Sequence, residues 1–132
     1  MPTVQVTETS FAATVKQGIV LLDFWAGWCG PCRAFAPVFE AAAARHPDVV
    51  FGKIDTEADP GLAAAFDVRA IPTLIVLRDG ILLAAQPGVL PAAALDDIVR
   101  QVRALDMDEV RRRLDEQDRD KASLVAAREG GV

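Results

Sequence analysis

The apolar run from Ile19 to Trp25 leads almost directly into Cys29-Gly30-Pro31-Cys32, and these two cysteines are the only ones in the chain. The run is rich in aliphatic residues and lacks clean alternation, which marks a central strand covered on both faces. A single Cys-x-x-Cys cannot build a disulfide framework. It also falls short of a four-thiolate zinc site. Two thiols at that spacing can, however, cycle between dithiol and disulfide. Whatever fold the chain adopts must therefore bring a buried strand to its end beside a reactive thiol pair.

Length and charge narrow the class. With 132 residues, 52% of them hydrophobic, the chain can bury a substantial core. A net charge of −5 argues against a nucleic-acid partner and against an anionic membrane surface. Met1-Pro2-Thr3-Val4-Gln5-Val6 shows no basic segment followed by an apolar one, so no signal peptide is expected. The aliphatic runs are too short to span a bilayer. The expected location is the cytoplasm, where a thiol pair is more often catalytic than structural.

The chain alternates strands and helices. Thr3 to Val6 reads as a short edge strand, and Thr9 or Ser10 can cap a helix over Phe11–Val15 that stops at Gly18. After Cys29, the residues Phe35, Val38, Phe39 and Ala42 form the buried stripe of a helix interrupted by Pro37 and closed by His46-Pro47-Asp48. Val49 to Asp55 reads as a second interior strand. Asp59-Pro60 supplies a cap and first-turn proline for a short helix, Gly61 to Phe66. Two apolar runs, Thr73–Leu77 and Ile81–Ala85, flank Arg78-Asp79-Gly80 as a hairpin. Pro91 opens a helix with Leu95, Ile98, Val99 and Val102 on one face. The order is β-α-β-α-β-α-β-β-α, an α/β fold with a mixed central sheet flanked by helices.

At Trp28-Cys29-Gly30-Pro31-Cys32 the chain resembles the bacterial thioredoxins, over about residues 3 to 104. The resemblance includes Asp23-Phe24-Trp25-Ala26 before the cysteines, Pro37 after them, Lys53 on the next strand, Ile71-Pro72-Thr73, and the turn glycines Gly80 and Gly88. Lys53-Ile54-Asp55-Thr56-Glu57-Ala58 and Gly88-Val89-Leu90-Pro91 are most similar to the second bacterial type, although the N-terminal zinc segment of that type is missing. The resemblance implies the thioredoxin fold, a redox-active Cys29–Cys32 disulfide, no bound cofactor or metal, disulfide-containing protein substrates and re-reduction by a thioredoxin reductase.

The residues can carry that chemistry. A helix N-terminus favours a thiolate, an effect for which thioredoxins are themselves a standard example, so Cys29 is the expected nucleophile. Cys32, one turn further in, is the expected resolving thiol. Gly30 permits close approach and Pro31 stiffens the first turn. Asp23 lies among Leu21, Leu22, Phe24 and Trp25, where desolvation should raise its pKa and suit it to relaying a proton. Lys53 by itself reads as a snorkelling surface residue; the resemblance instead implies a place near Asp23. Pro72 reads as a strand-start proline, and the resemblance implies a cis Ile71–Pro72 bond opposite the cysteines. Trp28, Gly30, Pro31, Ala70, Ile71, Pro72, Gly88 and Val89 would then form an apolar landing surface for an extended substrate. Trp25 divides between core packing and support of the active-site loop. His46, the lone histidine, reads as a solvated residue at a helix end.

The chain continues beyond the resemblance, which suggests residues 1–105 as the main domain and 106–132 as a charged helical extension. Asp106-Met107-Asp108-Glu109 resembles a capping box for a helix to about Gln117, with Met107, Val110 and Leu114 on one face. Glu129-Gly130-Gly131-Val132 is expected to fray. The function expected is a protein-disulfide reductase. The alternative is a binding or holdase module of the same fold, with an incidental redox pair.

Overall fold

The computed structural model describes residues 2–130. The chain divides into two compact units, Met1–Val102 and Arg103–Val132. In order the elements are β1 (Thr3–Gln5), α1 (Phe11–Val15), β2 (Ile19–Trp25), α2 (Gly30–Arg45), β3 (Val50–Asp55), α3 (Pro60–Ala65), β4 (Thr73–Arg78), β5 (Ile81–Pro87), α4 (Ala92–Ala104) and α5 (Met107–Gly130).

The five strands make one mixed sheet in the order β1-β3-β2-β4-β5. β3 runs parallel to β1 and β2, and the long crossover that parallel neighbours require is supplied between β2 and β3 by α2. β4 lies antiparallel to β2, and β5 antiparallel to β4. The turn between β4 and β5 has both Asp79 (φ 53°) and Gly80 (φ 80°) in the left-handed region, the two-residue hairpin geometry that suits strand twist.

The aliphatic continuity of β2 follows from its central place. Leu21, with Phe51, Leu74 and Val76, faces a core closed by Phe35, Phe39 and Ala42 of α2 and Leu95, Val99 and Val102 of α4. Val20, Leu22 and Phe24 face the other way, with Ile54, Ile75 and Leu77, beneath Val15 of α1 and Leu62 of α3. Each of these Val, Leu, Ile and Phe side chains contributes about 1.5–3 kcal/mol when fully buried. Residues of one strand alternate between faces, so Asp23 is forced into the same layer as Leu21, where it is fully buried.

Local details depart from the sequence reading. Ser10 stands at the α1 N-cap position, but its side chain makes no capping bond; its Oγ accepts the Thr7 N–H at 3.0 Å instead. Asp59 likewise does not cap α3. Its carboxylate accepts the Glu8 N–H at 3.0 Å, while the Glu8 carboxylate accepts the Gly61 N–H at 3.0 Å. The α3 N-terminus is thus satisfied from a residue 53 positions away, a partner that no local motif could name. His46 is not simply solvated. Its Nε2 lies 2.7 Å from Asp96, which Arg45 also binds, and its ring stacks on Phe51.

In the second unit α5 is about twice the expected length. Asp106 Oδ1 accepts the N–H groups of Asp108 (3.0 Å) and Glu109 (3.2 Å), a full N-cap. The first turns carry ion pairs at i,i+3 and i,i+4: Arg111–Asp108, Arg112–Glu109 and Arg113–Glu109. From Arg111 to Arg128 every residue is exposed. The backbone is helical through Gly130, and Gly131 and Val132 lie outside the described residues.

Candidate active site

Sheet topology gathers the candidate residues at one end. β2 ends at Trp25, and its parallel neighbour β3 ends level with it, Trp25 opposite Asp55. β4 runs the other way, so its start meets the end of β2, with Phe24 opposite Thr73. β5 returns to the same level, Thr73 opposite Pro87. The segments Ala26–Cys32, Thr56–Glu57, Ala70–Pro72 and Gly88–Val89 consequently emerge together outside the carboxyl end of the central strand, the usual place for a site in an open α/β sheet.

Cys29 and Cys32 form a disulfide across a Cα separation of 5.2 Å. Ala26 O accepts the Cys29 N–H at 3.1 Å, a tight turn that delivers Cys29 to the N-cap of α2. Pro31 occupies the first helical turn, where its missing N–H costs nothing. Both cysteines are about 3% exposed, so burial does not distinguish them. Geometry does. The Cys32 backbone N–H points to Cys29 Sγ at 3.2 Å, while the Ile71 carbonyl oxygen lies 3.7 Å from the same sulfur. A negative charge on Cys29 would be held by that N–H and by the helix N-terminus.

The Ile71–Pro72 bond is cis. Pro72 O accepts the Gly88 N–H at 2.8 Å, and Thr73 Oγ1 donates to Ala70 O, so the loop is tied on both sides. Gly88 holds φ +96°, a conformation that L side chains rarely adopt, which explains glycine at that bend. Pro72 is buried and Ile71 half-buried, whereas Gly30, Pro31, Ala70, Gly88, Val89 and Trp28 are exposed. Trp28 is 68% exposed, and its indole N–H donates to Glu57 at 2.8 Å.

Asp23 and Lys53 are register partners on adjacent parallel strands, so their side chains leave the same face. Desolvation pushes the Asp23 carboxyl up to about 6, and the Lys53 charge offsets part of the rise. Neither carboxylate oxygen has a hydrogen-bond partner among the described residues. Such a group exists at neutral pH as a mixture of acid and base, the condition for proton exchange with a neighbour. The Lys53 ammonium lies 5.0 Å above the Trp25 ring. Trp25 in turn packs against Ala26, Cys29 and Cys32, so it contributes both to packing and to the support of the cysteine loop.

Three contributors escaped the sequence reading: Glu57, which holds Trp28; Thr56, whose N–H and hydroxyl both bind Trp25 O (2.9 and 3.1 Å); and Arg33, whose guanidinium binds Gly27 O at 3.2 Å. The spacing of Thr56 and Glu57 just past a strand end was the one signal available. Among the described residues, no group of three His, Cys, Asp or Glu could hold a metal ion.

An open mixed sheet with a helix-capping Cys-x-x-Cys opposite a cis-proline loop defines a thiol–disulfide exchange protein. Comparison with known proteins makes the class particular. The Thioredoxin family model matches residues 2–101. A Streptomyces coelicolor protein named "Putative thioredoxin 2" is 55% identical over 116 residues, 87% of each chain. The thioredoxin of Bacillus subtilis is 40% identical over 102 residues, 76% of this chain and 98% of its own. Among solved structures, a point mutant of thioredoxin from Halobacterium salinarum NRC-1 superposes with a TM-score of 0.74 at 32% identity, covering 80% of this chain and 95% of that one. The chain belongs to the thioredoxin family and is a thiol–disulfide oxidoreductase.

Proposed function

We propose that the protein reduces disulfides in other proteins and is itself re-reduced by a thioredoxin reductase, in the cytoplasm. The observation that carries this reading is the asymmetry at the cysteines: only Cys29 Sγ receives a helix N-terminal N–H, that of Cys32. In the dithiol state the Cys29 thiolate attacks one sulfur of the substrate disulfide. A Cys29–substrate disulfide forms as the substrate S–S bond breaks, and the leaving sulfur takes up a proton. Cys32 then loses its proton, for which the Asp23 carboxylate is the acceptor, and attacks Cys29 Sγ. The mixed disulfide breaks, the second substrate sulfur leaves as a thiolate and takes up the proton that Asp23 accepted, and Cys29–Cys32 is oxidised. Two electrons pass from the pair to the substrate, and the reductase returns two electrons and two protons. The thiol pair carries the electrons itself, so the reading calls for no bound cofactor. The Gly30-Pro31 pair and the acid beneath it resemble the reducing members of the family. Among the described residues no helix is long and apolar enough to cross a membrane.

The test is insulin reduction driven by NADPH and a thioredoxin reductase, with single-cysteine variants. Cys32→Ser should accumulate a covalent mixed disulfide with substrate, and Cys29→Ser should trap none. Equal trapping by both variants in mass spectrometry would reverse or remove the assigned roles.

A further inference from the structure

From Arg111 to Arg128 every residue of α5 is exposed, so roughly five helical turns gain nothing from burial. A helix in that condition is marginal in water. Its sequence nevertheless keeps a seam. Met107, Val110, Leu114, Gln117, Lys121 and Leu124 recur at alternating spacings of three and four, the a and d positions of a heptad repeat. Met107 is buried within its own chain and Val110 is half-buried, but Leu114 and Leu124 are 38% and 65% exposed. Val125, beside Leu124, is 54% exposed.

Charge flanks the seam in blocks: Arg111 and Arg113 in its first half, Asp118 and Asp120 in its second. Asp118 and Asp120 take no ion pair among the described residues. Arg111 and Arg113 pair with Asp108 and Glu109 of the same helix, at exposed positions where such pairs are weak and readily shared.

We propose that α5 pairs antiparallel with α5 of a second copy of this chain, making the protein a weak, salt-sensitive homodimer. The flanking charges select both direction and register. In an antiparallel pair each a position meets a d position of the other helix. With Leu114 opposite the partner's Gln117, Val110 lies opposite the partner's Lys121, whose methylene stem can cover it. The same register sets Arg111 against the partner's Asp118 and Arg113 against the partner's Asp120, and the twofold axis repeats both pairs. Leu124 and Val125 then fall at the first turn of the partner helix. A slide of one heptad one way brings Asp118 and Asp120 each against its own copy; a slide the other way does the same to Arg111 and Arg113. Parallel pairing stacks Lys121 on the partner's Lys121 in the seam and keeps only the pair of Arg113 with the partner's Asp118. One arrangement alone opposes unlike charges throughout, and repulsion in the others is what specifies a register. The polar layers at Gln117 and Lys121 keep the affinity in the range of transient contacts.

Sedimentation equilibrium of the full chain is the experiment. At about 100 μM in low salt the wild-type protein should form a reversible dimer, and about 0.5 M NaCl should raise its Kd by about tenfold. A wild-type protein that stays monomeric in low salt overturns the proposal without recourse to any variant. Asp118→Arg with Asp120→Arg makes all four flanking positions basic, and Arg111→Asp with Arg113→Asp makes all four acidic. Each double variant alone should associate about tenfold more weakly than the wild type, while an equimolar mixture of the two should recover a dimer at least as tight. Recovery also shows that both variants keep the helix. Double variants that self-associate like the wild type, or a mixture that stays monomeric, overturn the proposal. Direction is read by oxidative cross-linking in a Cys29→Ser, Cys32→Ser background. Lys121→Cys should cross-link to Val110→Cys and not to itself. Self-cross-linking of Lys121→Cys would mean a parallel pair and overturns the antiparallel register.

Discussion

Helices α2 and α5 are built on opposite principles. α2 buries Cys32, Phe35, Phe39, Ala42 and Ala43 and holds its geometry through the core it closes. α5 buries Met107 in its first turn but leaves Leu114, Leu124 and Val125 between 38% and 65% exposed, and beyond that turn it is held by its Asp106 cap and by Arg–carboxylate pairs within the helix. A helix fixed by burial can hold a sulfur to a fraction of an ångström, as the Cys32 N–H to Cys29 contact requires. A helix fixed by exposed ion pairs is salt-sensitive and stabilised only locally. The chemistry sits on the first kind.

The contrast extends to two carboxylates whose linkage to pH has opposite sign. The Asp23 pKa is raised by burial, so its contribution to folding is most favourable below the unfolded value of 3.8 and is lost as pH rises through about 6. The Glu109 pKa is lowered, first by its hydrogen bond to Arg112, so its contribution to α5 is present above the unfolded value of 4.5 and is lost as pH falls through the lower folded value.

Four substitutions break or sharpen this comparison. The largest effect belongs to the buried helix: Phe39→Ala removes a fully buried ring that packs edge-on to Phe51 and should cost about 3–5 kcal/mol in urea unfolding. A loss under 1 kcal/mol would show that α2 is not held by its core face.

Asp23→Asn comes next. A shift from 3.8 to about 6 corresponds to about 3 kcal/mol at neutral pH, so the variant should gain up to that amount at pH 7–8 and almost nothing at pH 3. The buried amide, itself short of partners, trims the gain. Single-turnover reduction should slow at the Cys32 step. A variant destabilised at pH 8, or fully active, would remove Asp23 from the proton path.

Asp106→Ala deletes the α5 cap and should cost that helix about 1 kcal/mol, read as lost hydrogen-exchange protection at Val110 and beyond, with insulin reduction unchanged. Protection that stays constant would mean the cap is redundant.

The smallest effect is that of Glu109→Gln. It should abolish the acid-induced loss of α5 protection below pH 4.5 and weaken its dependence on salt, while the pH profile set by Asp23 persists. Loss of both profiles together would couple the two carboxylates and erase the contrast.

What the sequence by itself determined lies within a few residues of each signal. The apolar run Ile19–Trp25 became β2 at those bounds, and Asp79-Gly80 became the hairpin turn, because burial pattern and backbone conformation are written locally. The Cys-x-x-Cys with Pro31 is likewise a local statement about a helix start, and the spacing of Phe35, Phe39 and Ala42 already marked the buried face of α2. Only the tertiary structure could decide which segments meet. Lys53 joins Asp23 because β2 and β3 pair in one register; a slip of one residue would have sent it to the other face. Pro72 reaches the cysteines because β4 runs antiparallel to β2, and Glu57 reaches Trp28 because β3 ends level with β2. The Glu8 carboxylate serves α3 across 53 positions, where Asp59 had the local claim. In each case the deciding free energy comes from burying one face of a sheet in register, a quantity that belongs to pairs of distant segments and to none of them alone.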